Sequence, residues 1–273
     1  MFSVPSVLYL CFCIAIHLVS MVVSKPIVQL LGYEFPSHSS AQLYNQIVST
    51  YHASIFSILY IYVWMYSGHQ GLEFKHDDVI HPFDHLLLEF MMGYMIYDTS
   101  FEILQMFTEK GKKAWSMHLQ FLLHHLMGII THGMIFQLNS GIAARLMLVI
   151  YGAEVSTPFL NLSWILNHFK MSDGGLFQVV SGCLFCMFSY RLTIGPYVLY
   201  CLVSRAAHWT SFPFLYNILC VVASVFSLLN FFWYYKLYQR AMKHSRKLKK
   251  VHAEGKTGGD SSSSDEDDNK KAK

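Results

Sequence analysis

The chain has 273 residues, 53% of them hydrophobic and 16% aromatic, with only 14% charged and a mean hydropathy of +0.34. A soluble domain carries about 25% charged residues, so this composition excludes an ordinary soluble globule, and its long apolar blocks predict an all-α polytopic membrane protein. The formal net charge of +3 is unevenly placed: eleven of the 20 Lys and Arg residues fall between Lys236 and Lys273, a membrane-flanking basic segment rather than a folded nucleic-acid-binding surface.

Length and hydropathy predict about seven transmembrane helices, over 5–23, 46–66, 84–107, 115–137, 142–166, 175–203 and 212–238. The first lacks a basic leader and is followed by Lys25, which favours a retained signal-anchor with its N-terminus away from the cytosol. Residues 1–37 then form this anchor and a short amphipathic connection, 38–242 the main bundle, and 243–273 a disordered cytosolic tail. The positive-inside count agrees. Lys25, Lys110, Lys112, Lys113 and Lys170 fall on the cytosolic side, against Lys75 and Arg205 opposite.

Cysteines 11, 13, 183, 186, 201 and 220 all lie in apolar runs, so they read as packing residues and no disulfide framework is implied. The CxxC spacing of Cys183 and Cys186 has no second pair, and metal binding is not expected. The sequon at Asn161-Leu162-Ser163 lies inside the fifth span and should be unused. In the tail, Ser261 to Ser264 precede Asp265-Glu266-Asp267-Asp268, a pattern that suits an acidophilic kinase. Lys270 and Lys271 fit a C-terminal dilysine retrieval signal, which operates in the cytosol and implies recognition by coat proteins.

The residues that carry chemistry are those the membrane should exclude. An ionisable side chain at the bilayer centre costs roughly 2.5–3.5 kcal/mol on insertion scales. Yet Glu89, Asp98, Glu102, His118, His124, His125, His132, Glu154 and Arg191 all lie in apolar runs. At 1.5 Å per residue, Asp98, His124 and His125 lie about 14–15 Å from the cytosolic ends of their spans, and Glu154 is near mid-span. Four ionisable groups therefore share one layer. A carboxylate beside an imidazole can fix its tautomer and stabilise the imidazolium, which equips His124, His125, Asp98 and Glu154 for general acid–base or nucleophilic work, or for a proton relay. His118, His125 and His132 recur every seven residues and share one helix face, while His124 points about 100° away. The competing reading is interhelical hydrogen bonding that only holds the bundle together. Arg191, five residues before Pro196, could neutralise a lipid headgroup or a carboxylate, and His52 in the second span is a further binding candidate.

At these residues the chain resembles the TLC domain family, shared by translocating-chain-associating membrane proteins and ceramide synthases. The matching segments are Asn45 to His52, Gly93-Tyr94 with Asp98, the His124-His125 pair, Glu154 to Asn161, Tyr190-Arg191 with Pro196, and Asn230 to Lys236. The resemblance implies a TLC domain over 38–242, folded as a six-helix barrel around a central cavity. It also implies an endoplasmic-reticulum membrane and a role in lipid metabolism or homeostasis. Through it His124, His125, Asp98 and Glu154 become catalytic candidates, and Arg191, His52 and Asn161 substrate-binding candidates. No cofactor is expected beyond acyl-CoA as co-substrate, and the partners implied are membrane lipids. Ceramide synthases carry a His-Asp-x-x-Asp element after their paired histidines. Here Ala153-Glu154-Val155-Ser156-Thr157 keeps one carboxylate and lacks the rest, so ceramide synthesis does not carry over intact. An acyltransferase and a non-enzymatic lipid sensor, chaperone or trafficking factor both stay open.

Overall fold

The computed structural model describes residues 3–30, 32, 40–66, 79–108, 115–172, 174–209 and 213–257. Among these the chain is helical, without strands. The helices are α1 (Val4–Leu30), α2 (Ser40–Tyr66), α3 (Pro82–Met106), α4 (Trp115–Leu138), α5 (Gly141–Tyr151), α6 (Thr157–His168), α7 (Gly175–Ser204) and α8 (Pro213–Thr257). Short 3-10 turns at Gly152–Ser156 and Ala206–Trp209 join α5 to α6 and follow α7. The chain divides into two compact units, Met1–Leu228 and Leu229–Lys273.

Six stretches are long and apolar enough to cross a membrane: Val4–Leu30, Ser40–Met65, His118–Leu138, Gly141–His168, Gly175–Ser204 and Pro213–Lys243. The seventh expected span, α3, has the length, at 25 residues, but Asp84, Glu89, Asp98 and Glu102 keep it out of that set. Its packing shows where it belongs. Asn45 meets Asp98 while His52 meets Met91, so α3 runs antiparallel to α2. Glu102 meets His118 and Asp98 meets His125, so it runs antiparallel to α4 as well. It is thus a full member of the alternating bundle, and most of its acids are enclosed: Asp84, Glu89 and Asp98 are buried.

Local chemistry explains the breaks. Pro82 at the first turn and the His81 side chain, accepting from the Phe83 N–H, start α3. Asn139, with φ of 48°, takes the left-handed conformation that asparagine tolerates and turns the chain from α4 into α5, whose cap is Ser140. The 3-10 turn at Gly152–Ser156 interrupts the fifth span, and Pro158 begins the α-helix that follows. A Cβ on Gly152 would stand 2.8 Å from the Tyr60 hydroxyl, so only glycine lets α2 approach there.

Two apolar clusters hold the first unit. The larger joins α2 to α5, α7 and the start of α8, through Phe56, Leu88, Ile135, Met147, Leu202 and Leu219 among others. The smaller lies where α1, α2 and α3 meet: Tyr9, Cys13, Val48, Tyr94 and Tyr97. Val4, Leu8, Leu18 and Val22 of α1 point outward, as side chains that face acyl chains must. In the second unit α8 stays helical through Thr257, past residue 243, where the sequence reading begins the tail. Lys, Arg, Leu, Ala and Glu in this stretch are all strong helix formers, which accounts for the difference. Residues 258–273, including the dilysine at Lys270 and Lys271, lie outside the described residues.

Candidate functional site

The polar layer predicted from depth is assembled from two groups. In the first, α2, α3 and α4 bring Asn45, Asp98 and His125 together. The Asn45 Nδ2 amide donates to Asp98 Oδ1 at 2.9 Å, and Asp98 Oδ2 lies 3.5 Å from His125 Nε2. All three are buried. A carboxylate facing Nε2 favours the tautomer with its proton there, so the lone pair sits on Nδ1. That Nδ1 atom is buried and has no hydrogen-bond partner among the described residues. A tautomer-fixed imidazole with an open basic nitrogen is the geometry a general base or nucleophile needs.

In the second group, the 3-10 turn after α5 aims Glu154 and Ser156 at α7. The Arg191 guanidinium lies 3.9 Å from Glu154 Oε1, donates to Ser156 Oγ at 3.4 Å, and sits 5.2 Å above the Phe188 ring. Arg191 is 5% exposed. A guanidinium at that depth is tolerated because the carboxylate, hydroxyl and ring together replace water. His124 links the groups: its ring is 5.4 Å from that of His125 and 6.2 Å from Phe226, and it lies within electrostatic reach of Arg191. Tyr94 lies within such reach of both Asp98 and Glu154. The layer therefore runs from Asn45 through Asp98, His125 and His124 to Arg191 and Glu154.

The remaining candidates are placed differently. His52 is 1% exposed and has both nitrogens engaged, Nδ1 with the Tyr9 hydroxyl at 3.0 Å and Nε2 with Met91 Sδ at 3.2 Å, while its ring stacks on Tyr94 at 3.8 Å. Asn161 on α6 is buried, and its Nδ2 donor has no partner among the described residues. His118 pairs closely with Glu102, one layer away along the same α3–α4 seam. His132 Nδ1 meets the Tyr151 hydroxyl at 2.7 Å and the Gly128 carbonyl at 3.1 Å. The heptad spacing of the three histidines thus turns two of them onto α3 and the third onto α5.

Sequence reasoning gave no site role to Asn45, Ser156 or Tyr9. Asn45 had a signal, a polar residue seven positions before His52 on one helix face. Tyr9 had none, because its partner is 43 residues away on another helix. Among the described residues no three His, Cys, Asp or Glu side chains converge as a metal site.

No curated protein matches the chain closely enough to transfer a name. The family profile described as the TLC domain matches residues 42–239, so it covers α2 to α8 and the whole polar layer, and leaves α1 outside. The match spans well over half of the sequence, and the chain belongs to the TLC domain family.

Proposed function

We propose that this chain is a multi-pass endoplasmic-reticulum protein of lipid metabolism or membrane lipid homeostasis, with its C-terminus in the cytosol. Within the TLC family, its motif order sets it nearest the group of TLC domain-containing protein 4. It binds a lipid or acyl chain in the helical bundle, with the polar end at the layer between His125 and Arg191. The observation that carries this reading is the Asn45–Asp98–His125 chain, which ends on a buried nitrogen without a protein partner. A buried polar atom of that kind is costly unless it serves a ligand. Arg191 supplies positive charge for a phosphate or carboxyl group, and Asn161 a spare donor.

If the site turns substrate over, acyl transfer from acyl-CoA is the reaction the residues suit. His125 Nδ1 would take the proton of an acceptor hydroxyl or amine, or accept the acyl group itself. Asp98 would hold the imidazolium, and Glu154 would hold Arg191 in place. Lipid profiles of cells carrying His124→Ala or His125→Ala, compared with wild type at equal expression, test the catalytic claim. Unchanged profiles would remove it.

A second reading, a lipid sensor, chaperone or trafficking factor, is favoured by one specific feature. The segment Ala153 to Thr157 carries a single carboxylate, and it is committed to Arg191. Purified protein with labelled acyl-CoA and candidate acceptors separates the two: bound ligand without product favours the sensor.

A further inference from the structure

Helix α8 is longer than a membrane requires. Its 45 residues span about 67 Å, whereas about 20 residues cross the hydrocarbon core. Beyond the apolar part, Lys236, Arg240 and Lys243 are exposed and recur at i, i+4 and i+7, so they form one stripe. Positions 247 and 250, both lysine, continue that register. From Lys236 to Thr257 the helix carries eight basic residues and a single acid, Glu254. Its own sequence therefore leaves the stripe uncompensated.

The segment that follows is its chemical complement. After Gly258-Gly259 come Asp260, then Ser261 to Ser264, then Asp265-Glu266-Asp267-Asp268. Ser262, Ser263 and Ser264 each have an acid three residues on, at Asp265, Glu266 and Asp267. Ser261 has Ser264 in that place, which becomes an acid only when Ser264 is phosphorylated. The reach is sufficient: residues 258–268 extend to about 36 Å, and the helix from Thr257 back to Lys236 measures about 32 Å. Two glycines at the junction permit the reversal.

We infer that Ser262, Ser263 and Ser264 form a phosphorylation site for an acidophilic kinase, with Ser261 as the dependent fourth site, and that the phosphorylated segment 260–268 folds back onto the basic stripe of α8. In each step the serine Oγ attacks the γ-phosphorus of a nucleoside triphosphate. The bond to the β–γ bridging oxygen breaks, the diphosphate leaves, and the hydroxyl proton passes to the kinase base. Between Lys236 and Asp268 there are eight basic and six acidic residues, a net of +2. Each phosphate adds about −1.5 to −2, so three reverse the sign of the whole segment. The stripe then no longer attracts an anionic bilayer surface.

The test uses the full chain in nanodiscs of neutral lipid, and in others that contain phosphatidylserine, with a purified acidophilic kinase and magnesium ATP. Site mapping is expected to find phosphate at Ser262, Ser263 and Ser264, and none at Ser261 in the Ser264→Ala variant. In neutral discs, tryptic cleavage after Arg240 and Lys243 should slow about fivefold or more on phosphorylation, and 0.5 M salt should restore it, as expected for screened charge pairs at roughly a 3–5 Å Debye length. Replacing all four serines with alanine should abolish the effect without touching the helix. Absence of phosphate at these serines overturns the modification site. Phosphorylation with unchanged cleavage in neutral discs overturns the docking. Protection that needs only phosphatidylserine, and persists after phosphorylation, assigns the stripe to the membrane and overturns it equally.

Discussion

At the scale of single residues, the site is defined by which polar atoms are satisfied and which are not. Asp98 is held on one oxygen by Asn45 and faces His125 with the other, so the three side chains form a directional chain. Asn45→Ala removes the only printed donor to Asp98 Oδ1 and leaves a buried carboxylate oxygen unpaired, a cost of about 1–3 kcal/mol. Thermal unfolding in detergent should show that loss. Asp98→Asn keeps shape and the contact with Asn45 while discarding the charge that stabilises imidazolium at His125. It should therefore unfold near the wild-type temperature and still fail in ligand retention or turnover, measured with labelled acyl-CoA; equal retention and turnover would relegate Asp98 to a packing role. The pairing of Asp98 with His125 was legible in the sequence, because depth along two antiparallel spans put them in one layer. Glu102 with His118 was legible as residue types but not as a pair. The register of α3 on α4 is set by side chains such as Met95, whose Cε fills the space a Cβ on Gly128 would take, and no local pattern reports it.

At the scale of elements, α1 is the informative one. It lies outside the family match, yet its Tyr9 binds His52 and its His17 Nδ1 lies 2.6 Å from the Tyr97 hydroxyl. The close approach that permits this is made at Gly93, where a Cβ would stand 2.5 Å from the Ser6 carbonyl oxygen. That neighbour is backbone and cannot step aside by a rotamer change. Gly93→Ala should destabilise the chain by about 1–2 kcal/mol, since overpacking costs about 1–3 kcal/mol and the gain in helix propensity offsets up to about 1. Gly182→Ala in α7 meets nothing within 4 Å and should instead stabilise by about 0.5–1 kcal/mol. Unfolding temperatures of the two variants moving in the same direction would contradict this account of α1. Hydropathy located α1 but could not show that it carries site-supporting contacts, because its tyrosine and histidine pair with residues 43 and 80 positions away. The 3-10 turn that presents Glu154 was equally hidden. Its cause is the approach of Tyr60 to Gly152, a tertiary contact, and the sequence there reads as one continuous apolar span.

At the scale of the whole molecule, the question is whether α3 crosses the membrane, since the number of crossings fixes which face the polar layer communicates with. By composition alone it does not qualify, and six other stretches do. Packing argues the opposite. An element antiparallel to both α2 and α4, in contact with them from Glu102 and Asp98 through Met95 to Met91, shares their depth. Its acids do not forbid insertion, because Asp98 and Glu102 are matched with imidazoles, and Asp84 with Arg145 at 3.8 Å. A charged residue that faces a partner inside the bundle avoids most of the insertion cost. A crossing α3 puts its two ends on opposite faces. With the proposed orientation, a cysteine placed at Thr108 should react with a membrane-impermeant maleimide added from the cytosol, and one at Val79 only after the lumenal side is opened. Labelling of both from the same side would make α3 a re-entrant element, leave six crossings, and move the tail that carries the basic stripe to the face opposite the one the positive-inside count assigns.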